Sequence, residues 1–271
     1  MAIHDEIGPW SEVKLDIVRE YAAAYSRILS AQRGLHHYYI DAFAGAGQHV
    51  SRTTGEFIAG SPVNALLVTP PFEGYHFIDI KAIKVAELEG LAGERDDVHV
   101  YHGDCNEILH KHVFPLVQYE DYRRGLCLLD PYGLHLKWEV IQTAGSMRSL
   151  DVFLNFPMMD INRNVLWTNP EGVDQQQAER MTGFWGDETW RNAAYVREKG
   201  LFGELKTKTR GNYFVVDAFR SRLRDVAGFA HVPKPMPMRI PQGAVVYYLF
   251  FASQKPVAQK IVRDIFKKYG G

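Results

Sequence analysis

Apolar positions along the chain follow two rhythms that alternate. Val13, Ile17, Tyr21 and Ile28 recur at helical spacing, and Ser11 with Glu12 behind it has the chemistry of a helix start. An amphipathic first helix over 10–31 is therefore predicted. The β-rich run "HHYYIDAF" follows, then a glycine loop, then "GSPVNALLV", where Ser61 is placed as N-cap and Pro62 at the first helical position. Short apolar runs at 75–80, 98–103, 125–130 and 151–157 then alternate with helical stretches at 83–91, 106–117 and 137–145. Strands that are nearly all apolar are buried on both faces, which predicts a parallel sheet with helices on each side. Right-handed crossovers make that sheet doubly wound.

From 158 to about 210 the rhythm loosens, and "MTGFWGDETW" (181–190) reads as part of an insertion or lid. A helix is expected at about 212–227, an antiparallel hairpin from 231–240 and 244–253, and a basic amphipathic helix at 257–269. The predicted fold class is thus α/β, one domain over 1–271: a mostly parallel, doubly wound, Rossmann-like sheet closed by a C-terminal antiparallel hairpin.

Composition narrows the functions. A formal net charge of −1 over 271 residues gives no global field toward nucleic acid or anionic membrane. A local basic stretch exists at 199–224, with seven Lys/Arg against Glu204 and Asp217, and its plain alternative is a solvated helical face. Cys105 and Cys127 make no CxxC pair, and the eleven histidines show no HxxxH or HExxH spacing, so neither a disulfide framework nor a metal site is expected. The longest apolar run, "AVVYYLFFA", is too short to span a bilayer. The N-terminus has no charged-then-apolar leader pattern, and a cytoplasmic location without membrane partners is the expectation.

In a doubly wound sheet ligands bind at the carboxyl ends of the strands. Four successive strands here finish on an acid: Asp41 before Gly45 and Gly47, Asp79, Asp104 and Asp130. One such acid is ordinary turn and cap chemistry; four at one edge point to a nucleoside-bearing ligand. Gly45 and Gly47 would admit close backbone approach. Asp79 would accept from ribose hydroxyls, Asp104 from an adenine amino group, and Asp41 would face a cationic portion. The loop lacks the third glycine of G-x-G-x-x-G and there is no GK[ST], which disfavours a dinucleotide or a P-loop phosphate. A ligand with a positive centre and no phosphate, S-adenosylmethionine, fits better.

"DAFAGAG", "FID", "GDCN" and "DPYG" resemble the strand ends of class I S-adenosylmethionine-dependent methyltransferases. More narrowly, "WSEVKL", "YIDAFAGAG", "GSPVNAL", "DPYG" and "MTGFWGDETW" are similar to the bacterial three-Cys-motif partner protein family, from Trp10 to about Tyr248. The resemblance implies a cofactor pocket at Asp41, Phe43, Ala44, Gly45, Gly47, Asp79, Ile80, Asp104 and Cys105, and a companion protein carrying a cysteine motif. The W-x-x-x-K pattern from Trp10 to Lys14 implies that Lys14 reaches over the mouth of that pocket.

Asp130-Pro131-Tyr132 is the expected chemical centre. In amino-directed nucleic-acid methyltransferases a D/N-P-P-Y/F turn orients the target amine and stacks on the extruded base. Here the second proline is missing, and the alternative is an Asp-Pro turn that only starts the next helix. Asn155 and Arg163 are expected at the substrate pocket, and Trp185 as a stacking residue of the lid; a buried strand tail and a tryptophan anchoring an insertion are the respective alternatives. Three function classes follow in order: a methyltransferase acting on a nucleic-acid amino group or, second, on protein; a non-catalytic interaction module; and a dinucleotide-dependent oxidoreductase.

Overall fold

A computed structural model of the chain describes residues 5–200, 203–208 and 211–270. The side chains of Lys199 and Lys206, and the whole of Arg210, members of the predicted basic stretch, lie outside the described residues.

The elements appear in the order β1 (Asp5–Ile7), α1 (Pro9–Ser30), β2 (His36–Asp41), β3 (Gln48–Ser51), β4 (Phe57–Ala59), α2 (Ser61–Leu66), β5 (Gly74–Asp79), α3 (Ala82–Ala92), β6 (Val98–His102), α4 (Cys105–Ile108), β7 (Arg123–Leu129), α5 (Trp138–Met147) and β8 (Leu150–Phe156). They continue as α6 (Met158–Asn164), α7 (Gln175–Trp185), α8 (Trp190–Ala194), β9 (Tyr195–Gly200), β10 (Gly203–Lys208), α9 (Tyr213–Asp225), β11 (Met236–Arg239), β12 (Val245–Ala252) and α10 (Pro256–Tyr269). Seven strands form the main sheet in the order β11-β12-β8-β7-β2-β5-β6. β6, β5, β2, β7 and β8 run parallel, whereas β12 pairs antiparallel with β8 and β11 antiparallel with β12. This is the doubly wound sheet with a C-terminal hairpin expected from the sequence.

The topology reverses between β2 and β7, so the crevice of the fold opens there. Apolar layers cover both faces. Tyr21 of α1 packs edge-on to Phe153 and Phe251 on one face, and Phe219 of α9 meets Phe156, Phe184 and Phe250 on the other.

Several local expectations shift. The first helix starts at Pro9 with Gly8 as its N-cap rather than at Ser11, because Pro9 has no N–H to leave unbonded in the first turn. α2 likewise takes Gly60 as N-cap and already includes Ser61. The stretch 106–117 is α-helical only to Ile108 and continues as a π turn and a 3₁₀ turn carrying Pro115. Residues 48–59 form two strands, not a plain loop: β3 pairs parallel with β1 and antiparallel with β4 in a small separate sheet. A non-local partner from the N-terminus makes those strands, and no short-range pattern announces it.

Candidate functional site

The register places the four acids together. Asp41 and Asp79 end the neighbouring strands β2 and β5, Asp130 follows β7, and Asp104 caps α4 just beyond β6. Two adjoining cavities open along this edge, of about 320 and 380 Å³, and both touch Phe43 and Tyr132. Their sizes are those of small-ligand clefts.

The first cavity lies over the β2–β7 switch and is lined by Lys14, Ala44, Gly45, Asp130, Asn155 and Arg163, with Ser61, His49 and Asp160. Lys14 comes from α1 and forms a charged hydrogen bond with Asp130 while standing 5.5 Å from the Tyr247 ring centroid. The lysine is 7% exposed. Burial works against its ammonium, but Asp130 and, farther off, Asp41 outweigh this and raise its pKa. Asp130 is thus engaged by a cation from within the protein, which the sequence did not disclose.

Among the described residues six buried side-chain polar atoms have no hydrogen-bond partner. Three of them, His49 Nδ1, Asn155 Oδ1 and Asp160 Oδ2, belong to lining residues of this cavity. A fourth, Asp41 Oδ2, sits on the carboxylate whose other oxygen accepts the Phe43 N–H. Folded proteins rarely leave such atoms unsatisfied, so their concentration at one cleft marks a place built for polar ligand atoms. Gly133 supports the arrangement: its φ is +70°, and a Cβ there would lie 2.9 Å from Asp160 Oδ2.

The second cavity is lined by Asp79, Ile80, Asp104 and Cys105, together with Ala42, Lys84 and Asp5. Ile80 is 68% exposed and offers an apolar face. Asp79 Oδ2 accepts the Gly45 N–H at 3.0 Å and Oδ1 accepts the Lys81 N–H at 2.8 Å, so this acid fixes the glycine loop and each oxygen keeps a second lone pair. Asp104 Oδ1 accepts the Asn106 backbone N–H at 2.9 Å as a helix cap. Cys105 is pushed up to about 12 by burial and stays a thiol.

Tyr132 separates the cavities and is 63% exposed, yet its hydroxyl donates to Asp5 Oδ2 at 2.9 Å. Lys84 donates to the same oxygen at 2.5 Å. Asp5 belongs to β1, so the small sheet holds the aromatic of the Asp130–Tyr132 turn in place. Asp5, Lys84, His49 and Asp160 escaped the sequence reading because each reaches the site from a segment with no motif of its own, and Ser61, inside "GSPVNAL", was read only as a helix cap.

Three expected site residues need correction. Trp185 is 1% exposed, lies 5.4 Å from Phe219 in the core and donates its indole N–H to Thr189 at 2.9 Å. It anchors α7 and is no stacking surface, since the apolar period of α7 turns it inward. Trp185→Phe is expected to cost about 1–3 kcal/mol by loss of packing and that hydrogen bond. Ligand affinity at the cleft should stay within twofold; a large affinity change at unaltered stability would restore the lid role. Gly47 lines neither cavity: with φ +78° a Cβ would meet Leu91 at 3.2 Å, and its carbonyl accepts the Gly60 N–H at 2.8 Å. The second glycine serves protein-to-protein approach.

Asp41 also lines neither cavity and is wholly buried. Its Oδ1 accepts the Phe43 N–H at 3.2 Å and the Ser61 hydroxyl acts on it from nearby; Phe43 and Ser61 both line the cleft, so Asp41 acts on it through them. Burial raises its carboxyl from 3.8 to about 7, against the pull of these donors. Between these values the folded state holds a proton that the unfolded chain has released, so stability falls as pH rises from about 4 to 7 and levels above. The swing is on the order of 2–4 kcal/mol. Urea unfolding at low and high pH should show Asp41→Asn lacking this component; an unchanged pH difference in the variant would contradict it.

No protein-family model matches the chain, and no curated protein does. Among solved structures, protein LPL1258 from Legionella pneumophila matches with 13% identity and a TM-score of 0.49, covering 94% of this chain and 92% of that one. A candidate methyltransferase from Thermobifida fusca matches with 13% identity and a TM-score of 0.41, covering 88% and 80%. DhpI, solved as a complex with SAH, matches with 11% identity and a TM-score of 0.35, covering 90% and 97%. At these values none of the likenesses decides an activity.

Proposed function

We propose that the chain binds S-adenosylmethionine across the two cavities and transfers its methyl group to an amino nitrogen, with nucleic acid as the acceptor class. The observation that carries this reading is the cluster of unpartnered buried polar atoms over the β2–β7 switch, next to a second cleft with an apolar wall and two acids. Ile80, Asp79 and Asp104 suit the nucleoside half, while Phe43, Ala44, Gly45 and Lys14 suit the amino-acid half. When bound, the cofactor supplies an electrophilic sulfonium methyl.

The chain's own part is to position the acceptor and accept its N–H groups in a cleft shielded from water. Asn155 Oδ1 is the buried acceptor with no competing donor, and Asp160 Oδ2 is the second. These two, rather than Asp130, are assigned to orient the amine, and the Asp160 carboxylate to receive the proton it sheds, because Lys14 already occupies Asp130. Nucleic acid is favoured by the cleft's rim: Arg163 lines it, and Trp167, 44% exposed, donates its indole N–H to the Arg163 carbonyl at 2.7 Å. Asn162, the neighbour of Arg163, bonds Asn212 at 3.0 Å, and the next two residues along the chain, Tyr213 and Phe214, are exposed. Exposed rings beside a guanidinium suit base stacking.

The engagement of Asp130 by Lys14 and of Tyr132 by Asp5 favours one rival, a ligand-binding module without turnover. Calorimetric titration with S-adenosylmethionine and S-adenosylhomocysteine, followed by labelled-methyl transfer to DNA, RNA and protein pools, separates them. Binding with transfer to a nucleic-acid pool is expected. Binding without any transfer selects the module, and no binding of either ligand overturns both.

A further inference from the structure

The opposite end of the sheet holds a third cavity, of about 400 Å³, at the amino ends of β7 and β8 and between α1 and α10. Its walls are apolar: Tyr21, Tyr25 and Leu29 from α1 face Val257, Ala258 and Ile261 from α10. Three cations open onto it, Arg124, Arg148 and Lys255. The Arg124 guanidinium lies 3.8 Å from the Tyr119 ring centroid and donates to the carbonyls of Tyr119 and Arg123, and Lys255 stands 5.7 Å from the same ring. Among the described residues none of the three has a carboxylate within ion-pair distance.

The cavity's one carboxylate is already committed. Asp151 accepts the Tyr21 hydroxyl at 2.6 Å through Oδ2 and the Ser253 hydroxyl through Oδ1. Its charge is drawn inward by two neutral donors; Arg124 spends only Nη1 on the two carbonyls, and among the described residues the Arg148 guanidinium and the Lys255 ammonium donate to none. An apolar chamber with unneutralised cations at its opening selects an amphipathic anion, since the body gains by burial and the head by charge-assisted hydrogen bonds.

We propose that this cavity binds a small organic anion, with its carboxylate or phosphate on Arg148, Lys255 and Arg124 and its aromatic or aliphatic body between α1 and α10. The site is independent of the upper cleft: Tyr25 lies about 16 Å along α1 from Lys14 at 1.5 Å per residue.

Titration calorimetry and amide chemical shifts of the full chain test it with 4-phenylbutyrate, phenyl phosphate and the neutral 4-phenylbutanamide. At least one anion should bind at a single saturable site at least tenfold more tightly than the amide, and the tighter of the two identifies the headgroup. The double variant Arg148→Asn, Lys255→Gln should weaken that anion at least tenfold while leaving the amide and the melting temperature unchanged. Asn suits position 148 because its φ is +60°. Anions that bind no more tightly than the amide, no saturable binding of either anion, or full affinity in the double variant would each overturn the assignment.

Discussion

Lys14→Met is expected to unfold the protein at markedly lower temperature and to abolish cofactor binding at the cleft. The substitution keeps the volume of the stem but removes the cation that Asp130 faces in a largely buried setting, where the two side chains are 9% and 24% exposed. Leaving one partner of a buried pair uncompensated costs about 3–5 kcal/mol. Asp41 adds to the loss, because its carboxylate already feels Asp130 as a like charge and Lys14 as relief. In a chain of this size each kcal/mol shifts the melting point by about 2–4 °C. The double variant Lys14→Met, Asp130→Asn removes both charges and should recover most of the stability, though not the affinity for S-adenosylhomocysteine. A single variant within about 1 kcal/mol of the parent, read by urea unfolding, would show that the pair is not a working part of the site.

The second large effect is expected on turnover alone. Asn155→Ala should slow methyl transfer by about 100-fold or more, the range found when one positioned hydrogen-bonding group is removed from a reacting centre. Its Oδ1 is buried without a protein partner, so truncation breaks no protein hydrogen bond made through that atom, and the melting temperature should not fall. Binding of S-adenosylhomocysteine should remain within twofold. Asp130→Asn, by contrast, should disturb stability and cofactor affinity before it disturbs the chemical step. If Asp130→Asn loses turnover at unaltered affinity while Asn155→Ala retains it, the roles given to the two residues are reversed.

Much of the architecture was legible from local pattern. Buried parallel strands must be apolar on both faces, and helices between them must repeat at 3.6, so the alternation from His36 to Phe156 carried the sheet and its direction. The shared edge of Asp41, Asp79, Asp104 and Asp130 followed from the same logic, because in a parallel sheet all strand ends of one sense lie on one side. The hairpin of β11 and β12 announced itself through its Pro-Gln-Gly turn.

Partnership was not legible. Which cation answers Asp130, which carboxylate holds the Tyr132 hydroxyl and which asparagine oxygen is left unbonded depend on contacts between segments more than a hundred residues apart. Trp185 shows the same limit from the other side: its composition-level meaning, an aromatic among glycines and acids, was reversed by a helix that turned it inward. Periodicity, propensity and turn chemistry act over a few residues and therefore fix elements, their order and the edge where ligands go. Burial and charge pairing are properties of assembled surfaces, and it was the packing of α1, β1 and α6 over the strand ends that decided which atoms of those residues are spent on the protein and which are kept for a ligand.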